Sequence, residues 1–178
     1  MNLVLNLRIS RIRLVILDVD GVLTDGQLHF SSDGQESKMF HVRDGHGIRL
    51  LQDAGLEVAL ITARYSPAVA HRAQDLGIRR VYQGSLDKLV AYTELKLAMG
   101  LEDGAVAYMG DDLVDLSVLG RVGFATAPAD AHEEVVSRVH WQSRLGGGKG
   151  AVRELSELIL RGQGHWEAVI RRCLDGRP

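Results

Sequence analysis

Asp18-Val19-Asp20 follows the apolar run Leu14-Val15-Ile16-Leu17, and Gly110-Asp111-Asp112 follows a second one, Val106-Ala107-Tyr108-Met109. Carboxylates placed directly after apolar runs cannot stay in a core unpaired, because an uncompensated buried charge is costly. They belong at the edge of a sheet with a cation nearby. Alternation along an extended chain turns Asp18 and Asp20 to the same side. Acidic groups at the ends of two strands can share one Mg²⁺, which takes oxygen ligands and keeps several waters. Asp115 follows Asp111 by one turn. Taken singly, each of these aspartates also suits a turn or a helix cap. Delivered together by separate strands, they describe a metal-assisted site.

Other polar residues fall in register with that edge. Thr62 ends the apolar run Val58-Ala59-Leu60-Ile61 and could donate its hydroxyl to an anion. Ser85 suits an N-cap, which puts Lys88 in the first helical turn. The helix dipole disfavours a cation there, so Lys88 is best explained by facing carboxylates or a phosphate. Arg43, Arg49, Arg64 and Arg72 follow the same segments, and guanidinium binds carboxylate groups bidentately. His29, His41 and His46 accompany a hairpin and an oxygen-rich site, which favours hydrogen-bonding or incidental roles over metal ligation.

The elements that must hold these groups alternate. Short apolar runs (14–17, 58–61, 106–109, with 80–82 and 122–125) read as strands buried on both faces. Between them, residues 45–54, 67–76, 86–99 and 113–119 carry helical patterns. Ser66-Pro67 makes an N-cap followed by Pro at the first helical position. Asp130 with Glu133 makes a capping-box pattern for a helix over 131–138. Strands and helices in this alternation give an α/β fold, a parallel sheet with helices on both faces. Residues 26–42 break the rhythm: Gln27-Leu28-His29-Phe30 and Lys38-Met39-Phe40-His41 bracket Ser32-Asp33-Gly34, a hairpin signal. The low-complexity patch is Gly146-Gly147-Gly148-Lys149-Gly150.

Composition removes other classes of function. The 178 residues suit one domain, 1–178, and a formal charge of −2 leaves no excess basicity for nucleic acid or an anionic membrane surface. One cysteine, Cys173, excludes a disulfide framework and fits a reducing compartment. The first 13 residues lack the order of a signal peptide, and no apolar run approaches a membrane span. The expectation is a cytoplasmic protein.

The run Leu-Asp-Val-Asp-Gly-Val-Leu-Thr-Asp, then Thr62, Lys88 and Gly110-Asp111-Asp112, resembles the haloacid dehalogenase superfamily, whose four motifs occur here in order. Val42-Arg43-Asp44-Gly45-His46-Gly47-Ile48-Arg49 and the segment from Gly146 to Glu154 resemble, more narrowly, the 3-deoxy-D-manno-octulosonate 8-phosphate (KDO 8-phosphate) phosphatase family. The resemblance spans residues 12–162. It implies a Rossmann-like sheet, a hairpin inserted after the first strand, no cap domain, and phosphoryl transfer in two steps. Asp18 is then the nucleophile and Asp20 the acid/base. Mg²⁺ is held by the Asp18 and Asp111 side chains and the Asp20 carbonyl. Thr62 and Lys88 bind the phosphoryl group, and Asp112 and Asp115 orient the metal's waters or the lysine. Arg43, Asp44, Gly45, Arg49, Arg64, Arg72 and Lys88 line the substrate site.

The implied substrate is a sugar-acid phosphate in lipopolysaccharide precursor synthesis. The implied assembly is a homotetramer whose hairpins join, with a mobile glycine-rich segment reaching an adjacent site and a C-terminal tail over 145–178. Two positions depart from the family: Ala63 stands where it usually has glycine, and Lys149 where it usually has arginine. A phosphatase for a nine-carbon sugar acid 9-phosphate is the neighbouring alternative. A phospho-acceptor signalling domain is the alternative of another class, and it gives Asp20 no task.

Overall fold

The structure, a computed structural model, describes residues 3–176; residues 1–2 and 177–178 of the predicted domain and tail lie outside the described residues. Strand β1 (Leu14–Leu17) is buried along its whole length, with Val15 and Leu17 in one core and Leu14 and Ile16 in the other. Such a run is stable only with both faces covered. A small antiparallel hairpin, β2 (His29–Phe30) and β3 (Glu36–Ser37), follows directly. Strands β4 (Glu57–Ile61), β5 (Arg80–Tyr82), β6 (Val106–Met109), β7 (Phe124–Ala127) and β8 (Trp141–Gln142) complete a parallel sheet in the order β5-β4-β1-β6-β7-β8.

Helices α1 (Leu3–Ile9), α2 (Val42–Asp53), α3 (Pro67–Asp75), α7 (Ala151–Gly162) and α8 (Trp166–Leu174) cover one face. Helices α4 (Lys88–Ala98), α5 (Leu116–Leu119) and α6 (Glu133–Val136) cover the other. Helix α7 buries Val152, Leu155 and Ile159, one stripe at helical spacing, in the core it shares with Ile48 and Leu51 of α2. The chain runs outward from β1 through β4 to β5, then returns to β6 and runs outward the other way. The reversal lies between β1 and β6, and ligands of open α/β sheets bind at such a switch point. Both acidic motifs sit there.

The structure bears out the strands at 14–17, 58–61, 80–82 and 106–109 and shifts others. Strand β7 begins at Phe124, because Gly123 donates its N–H to the Asp103 carbonyl (2.7 Å) and so belongs to the preceding turn. The helix expected over 131–138 contracts to Glu133–Val136, and His132, not Asp130, accepts the capping N–H, from Glu134 (3.1 Å). Asp130 accepts from the Gly147 N–H instead, at 2.9 Å. The second hairpin strand is Glu36–Ser37, with Phe30 opposite Glu36, so Lys38 to His41 lead away toward α2.

The glycine-rich segment, expected to be mobile, is packed within its own chain. Gly148 donates its N–H to the Val22 carbonyl (2.9 Å), and a Cβ on Gly147 would stand 1.8 Å from the Gly21 carbonyl oxygen. Only glycine allows that approach. The residues beyond it form the helices α7 and α8. Among the described residues no helix is long and apolar enough to cross a membrane.

His140 ties β8 to β7. Its ring Nδ1 accepts the Ala125 N–H (2.8 Å), its backbone N–H donates to the Ala125 carbonyl (2.9 Å), and its ring stacks on Phe124. Burial, and then the charge of Arg8, hold its pKa below the usual imidazole value. The neutral ring is the folded form, so stability is full above the unfolded pKa of about 6.5 and falls as the pH drops below it. Urea unfolding between about pH 7.5 and about pH 5 should therefore show wild type losing more stability than His140→Gln, whose amide oxygen accepts the same N–H without titrating. Parallel losses in the two proteins would remove His140 as the cause.

Candidate active site

Asp18 leaves β1 with its N–H donated to the Met109 carbonyl (3.0 Å), so the β1–β6 pairing itself sets its place. Its carboxylate meets the Lys88 Nζ at 2.7 Å. Lys88 is the first residue of α4, and its side chain is only 1% exposed. The cap of that helix is Asp87, which accepts the Leu89 and Val90 N–H groups; Ser85 is not the cap. Ser85 instead donates its N–H to the Thr62 carbonyl (3.0 Å), which draws the end of β4 toward Lys88.

Asp115 is the hub. Its Oδ1 accepts from Lys88 (2.7 Å) and from the Tyr108 hydroxyl (2.6 Å), and its Oδ2 accepts the N–H groups of Asp111 (3.0 Å) and Asp112 (3.2 Å). Both oxygens are thus committed to donors of the protein. Asp111 differs: its Oδ1 is buried and has no hydrogen-bond partner. Asp112 caps the short turn Leu113–Asp115 by accepting the Leu113 N–H at 2.7 Å.

The charges do not balance. Burial, and then the charge of Asp115, push the pKa of Asp18 upward against the pull of Lys88. Burial and the charges of Asp18 and Asp115 push Asp111 up to about 8. Burial alone would lower Lys88, but Asp18 and Asp115 outweigh it and hold its pKa above the ordinary value. Burial raises Tyr108 well above the usual phenol range, so it stays a donor. Three carboxylates around one ammonium leave an excess of negative charge out of water. Oxygens of Asp18, Asp111 and Asp115 lie within 4.8 Å of one another. The orphaned Asp111 oxygen and that excess charge fit a hard divalent cation such as Mg²⁺, with Asp18 and Asp111 as the side chains free to hold it.

A cavity of about 250 Å³ opens over this cluster, lined by Asp18, Asp20, Gly21, Thr62, Arg64, Lys88, Asp111 and Asp112 among others. Gly21 has φ +84°, and a Cβ there would stand 2.0 Å from Asp111 Oδ2, so the carboxylate occupies the place of a side chain. Thr24 braces this loop, its hydroxyl donating to the Val19 carbonyl (3.3 Å) and accepting the Gly26 N–H (3.3 Å). A larger groove, about 580 Å³, runs along α3 and β5 but has no carboxylate in its lining.

Within one chain the substrate residues named from the sequence divide. Arg64 and Lys88 reach the cavity. Asp44 is buried and accepts N–H groups of Gly150 (3.3 Å) and Arg153 (2.8 Å), anchoring the start of α7. Arg49 donates to the Asp75 carbonyl, while Arg72 pairs with the Asp75 carboxylate (2.7 Å) over Phe40 and Gly45. Arg43 lines a separate cavity of about 560 Å³ with His41, His46, Arg144, Lys149 and Arg153.

Two groups in or beside the site went unread in the sequence. Tyr108 looked like one more apolar strand residue, although a buried tyrosine hydroxyl generally needs a partner. Lys38 looked like a hairpin strand position, yet its Nζ hydrogen-bonds Asp20.

No family model matches the chain. A 3-deoxy-D-manno-octulosonate 8-phosphate phosphatase of Yersinia pestis is 47% identical over 162 residues, 91% of this chain and 87% of that protein. Its counterpart in Escherichia coli strain K12 is 46% identical, covering 87% and 82%. The chain belongs to the KDO 8-phosphate phosphatase family. Among solved members of that family, the enzyme from Moraxella catarrhalis was crystallised with a magnesium ion, a phosphate ion and KDO. It superposes with a TM-score of 0.92 at 40% identity, covering 94% of this chain and 96% of that one.

Mg²⁺ should raise the melting temperature by about 5–10 °C at a concentration about 100-fold above its Kd. Asp111→Asn should lose most of that rise in differential scanning fluorimetry. An equal rise in the variant would place the ion elsewhere.

Proposed function

We propose that the chain is a Mg²⁺-dependent phosphatase that hydrolyses KDO 8-phosphate to KDO and inorganic phosphate, in the synthesis of lipopolysaccharide precursors. One observation carries most of this reading. Asp18, Lys88 and Asp111 form a buried, charge-unbalanced cluster at the switch point of a fold whose relative holds magnesium, phosphate and KDO.

The chemistry follows from the residue types. Asp18 attacks phosphorus, the bond to the sugar oxygen breaks, and an aspartyl-phosphate forms, which splits one hard step into two easier ones. Asp20 gives a proton to the departing sugar oxygen. It then takes one from a water that attacks the aspartyl-phosphate, releasing inorganic phosphate and restoring the Asp18 carboxylate. Lys88 keeps Asp18 ionised and in place, and Thr62 donates its hydroxyl to a phosphoryl oxygen. Mg²⁺ bound between Asp18, Asp111 and the Asp20 carbonyl supplies the positive charge that offsets repulsion between nucleophile and phosphate.

The described residues fold no cap over the cavity, so this reading assigns closure to neighbouring chains. The hairpin and the segment after it expose Leu28, Phe30, Met39 and Val42, apolar surface that favours association. A homotetramer joined there would bring Arg43, Arg49 and Arg72 of one chain to the sugar carboxylate held by another, with buried Asp44 and Gly45 holding the backbone that presents them. The reading includes a cytoplasmic location.

Asp18→Asn should lower kcat on KDO 8-phosphate by more than about 10³-fold, while folding and Mg²⁺-free stability persist. Wild type should show a higher kcat/KM for KDO 8-phosphate than for a nine-carbon sugar acid 9-phosphate. The opposite order would reassign the substrate within the same chemistry. Sedimentation velocity should find a tetramer, with specific activity falling as dilution dissociates it. A fully active monomer would refute closure by neighbours.

A further inference from the structure

The hairpin carries a polar device that reaches back into the cavity. Lys38, just past β3, is buried to 1% side-chain exposure although the chain around it is exposed. Its Nζ hydrogen-bonds Asp20 Oδ1 and lies 3.2 Å from Glu36 Oε1. Arg64 closes the circuit: its NH2 donates to Glu36 Oε2 at 2.7 Å, and its Nε stands 3.8 Å from Asp20 Oδ2. Two cations and two carboxylates thus form a closed ring around one aspartate.

A lysine costs a good deal of side-chain entropy and solvation to bury, so one held this firmly beside a carboxylate needs a reason. Solvent exposure would have been the cheaper arrangement. The ring offers one. With Oδ1 fixed by Lys38, the Asp20 carboxyl cannot spin about its last bond, and Oδ2 is left with only the longer approach of Arg64. Orientation of a catalytic group is worth much of its effect, because a displacement of about 1 Å can cost 10²-fold.

We propose that Lys38, held by Glu36, is a positioning residue that aims the Asp20 carboxyl at the leaving sugar oxygen, with the hairpin serving as its mount. The inference rests on the assignment of Asp20 as acid/base and adds a residue of the hairpin to the reaction. Loss of the clamp should harm the step that needs proton transfer and spare the step that does not.

The test compares two leaving groups. The alkoxide of KDO needs a proton as it departs, whereas the nitrophenolate of p-nitrophenyl phosphate leaves without one. Lys38→Met keeps the length of the side chain and removes its charge. It should lower kcat/KM on KDO 8-phosphate, which reports the steps through departure of the sugar, by about 10–100-fold, a part of what general acid–base catalysis contributes. The same variant should lower kcat/KM on p-nitrophenyl phosphate by no more than about threefold, because that ratio excludes hydrolysis of the aspartyl-phosphate, which both substrates share. Glu36→Gln should show the same selectivity to a smaller degree. Asp20→Asn, run alongside, should show the largest gap between the substrates.

Equal losses on both substrates in Lys38→Met, or no loss on either, would overturn the clamp while leaving Asp20 in its role. Equal losses of kcat/KM in Asp20→Asn would overturn Asp20 as the acid toward the leaving group, and the clamp with it. The aryl substrate also serves as the check that each variant still folds.

Discussion

Everything at the catalytic edge is arranged around one buried ammonium shared by carboxylates that outnumber it. Lys88 touches Asp18 and Asp115, with Asp111 beside them, and removal of such a partner leaves an uncompensated buried charge. The surrounding sequence obeys that constraint. Tyr108 has to be a hydroxyl donor deep in a strand because Asp115 needs one there. Position 21 has to lack a side chain because a carboxylate fills its space. The same negative excess that strains the protein alone makes the site receptive to a divalent cation, so stability and metal affinity are two sides of one charge count.

The sequence made the sheet and its acidic edge legible for a physical reason. Apolar runs buried on both faces have few other homes, and aspartates at their ends have almost none. Asp18, Asp111, Lys88 and Thr62 converge as their spacing implies. Legibility failed where a residue acts through geometry and not through type. Asp130 with Glu133 satisfies a capping pattern, but the Gly147 N–H competes for Asp130 and wins. Asp87 displaces Ser85 as a cap because it sits directly before the helix. Strand β8, two residues long, has no run to reveal it.

The arginines mark another limit. A guanidinium in a sequence announces an anion but not which one. Arg49 and Arg72 spend their donors on the end of α3, through the carbonyl and carboxylate of Asp75. Asp44 is spent on the N-terminus of α7. These contacts build the surface from which a neighbouring chain would be met, which no pattern along a single chain displays. Lys38 escaped notice for the opposite reason: a cation in a short exposed hairpin is ordinarily solvated, and only the fold buries it.

The packing of Gly147 and Gly148 against the loop after β1 has a consequence for biosynthesis. Asp18 and Asp20, directly after β1, are made long before the backbone that braces their loop. Helix α7, which follows that brace, also covers one face of the sheet. A nascent chain therefore holds Asp18 through a long stretch of synthesis without the wall that fixes it. The site is complete only once Gly147 and Gly148 are made, and a chain cut short before that point carries the acidic motifs without the wall that sets them.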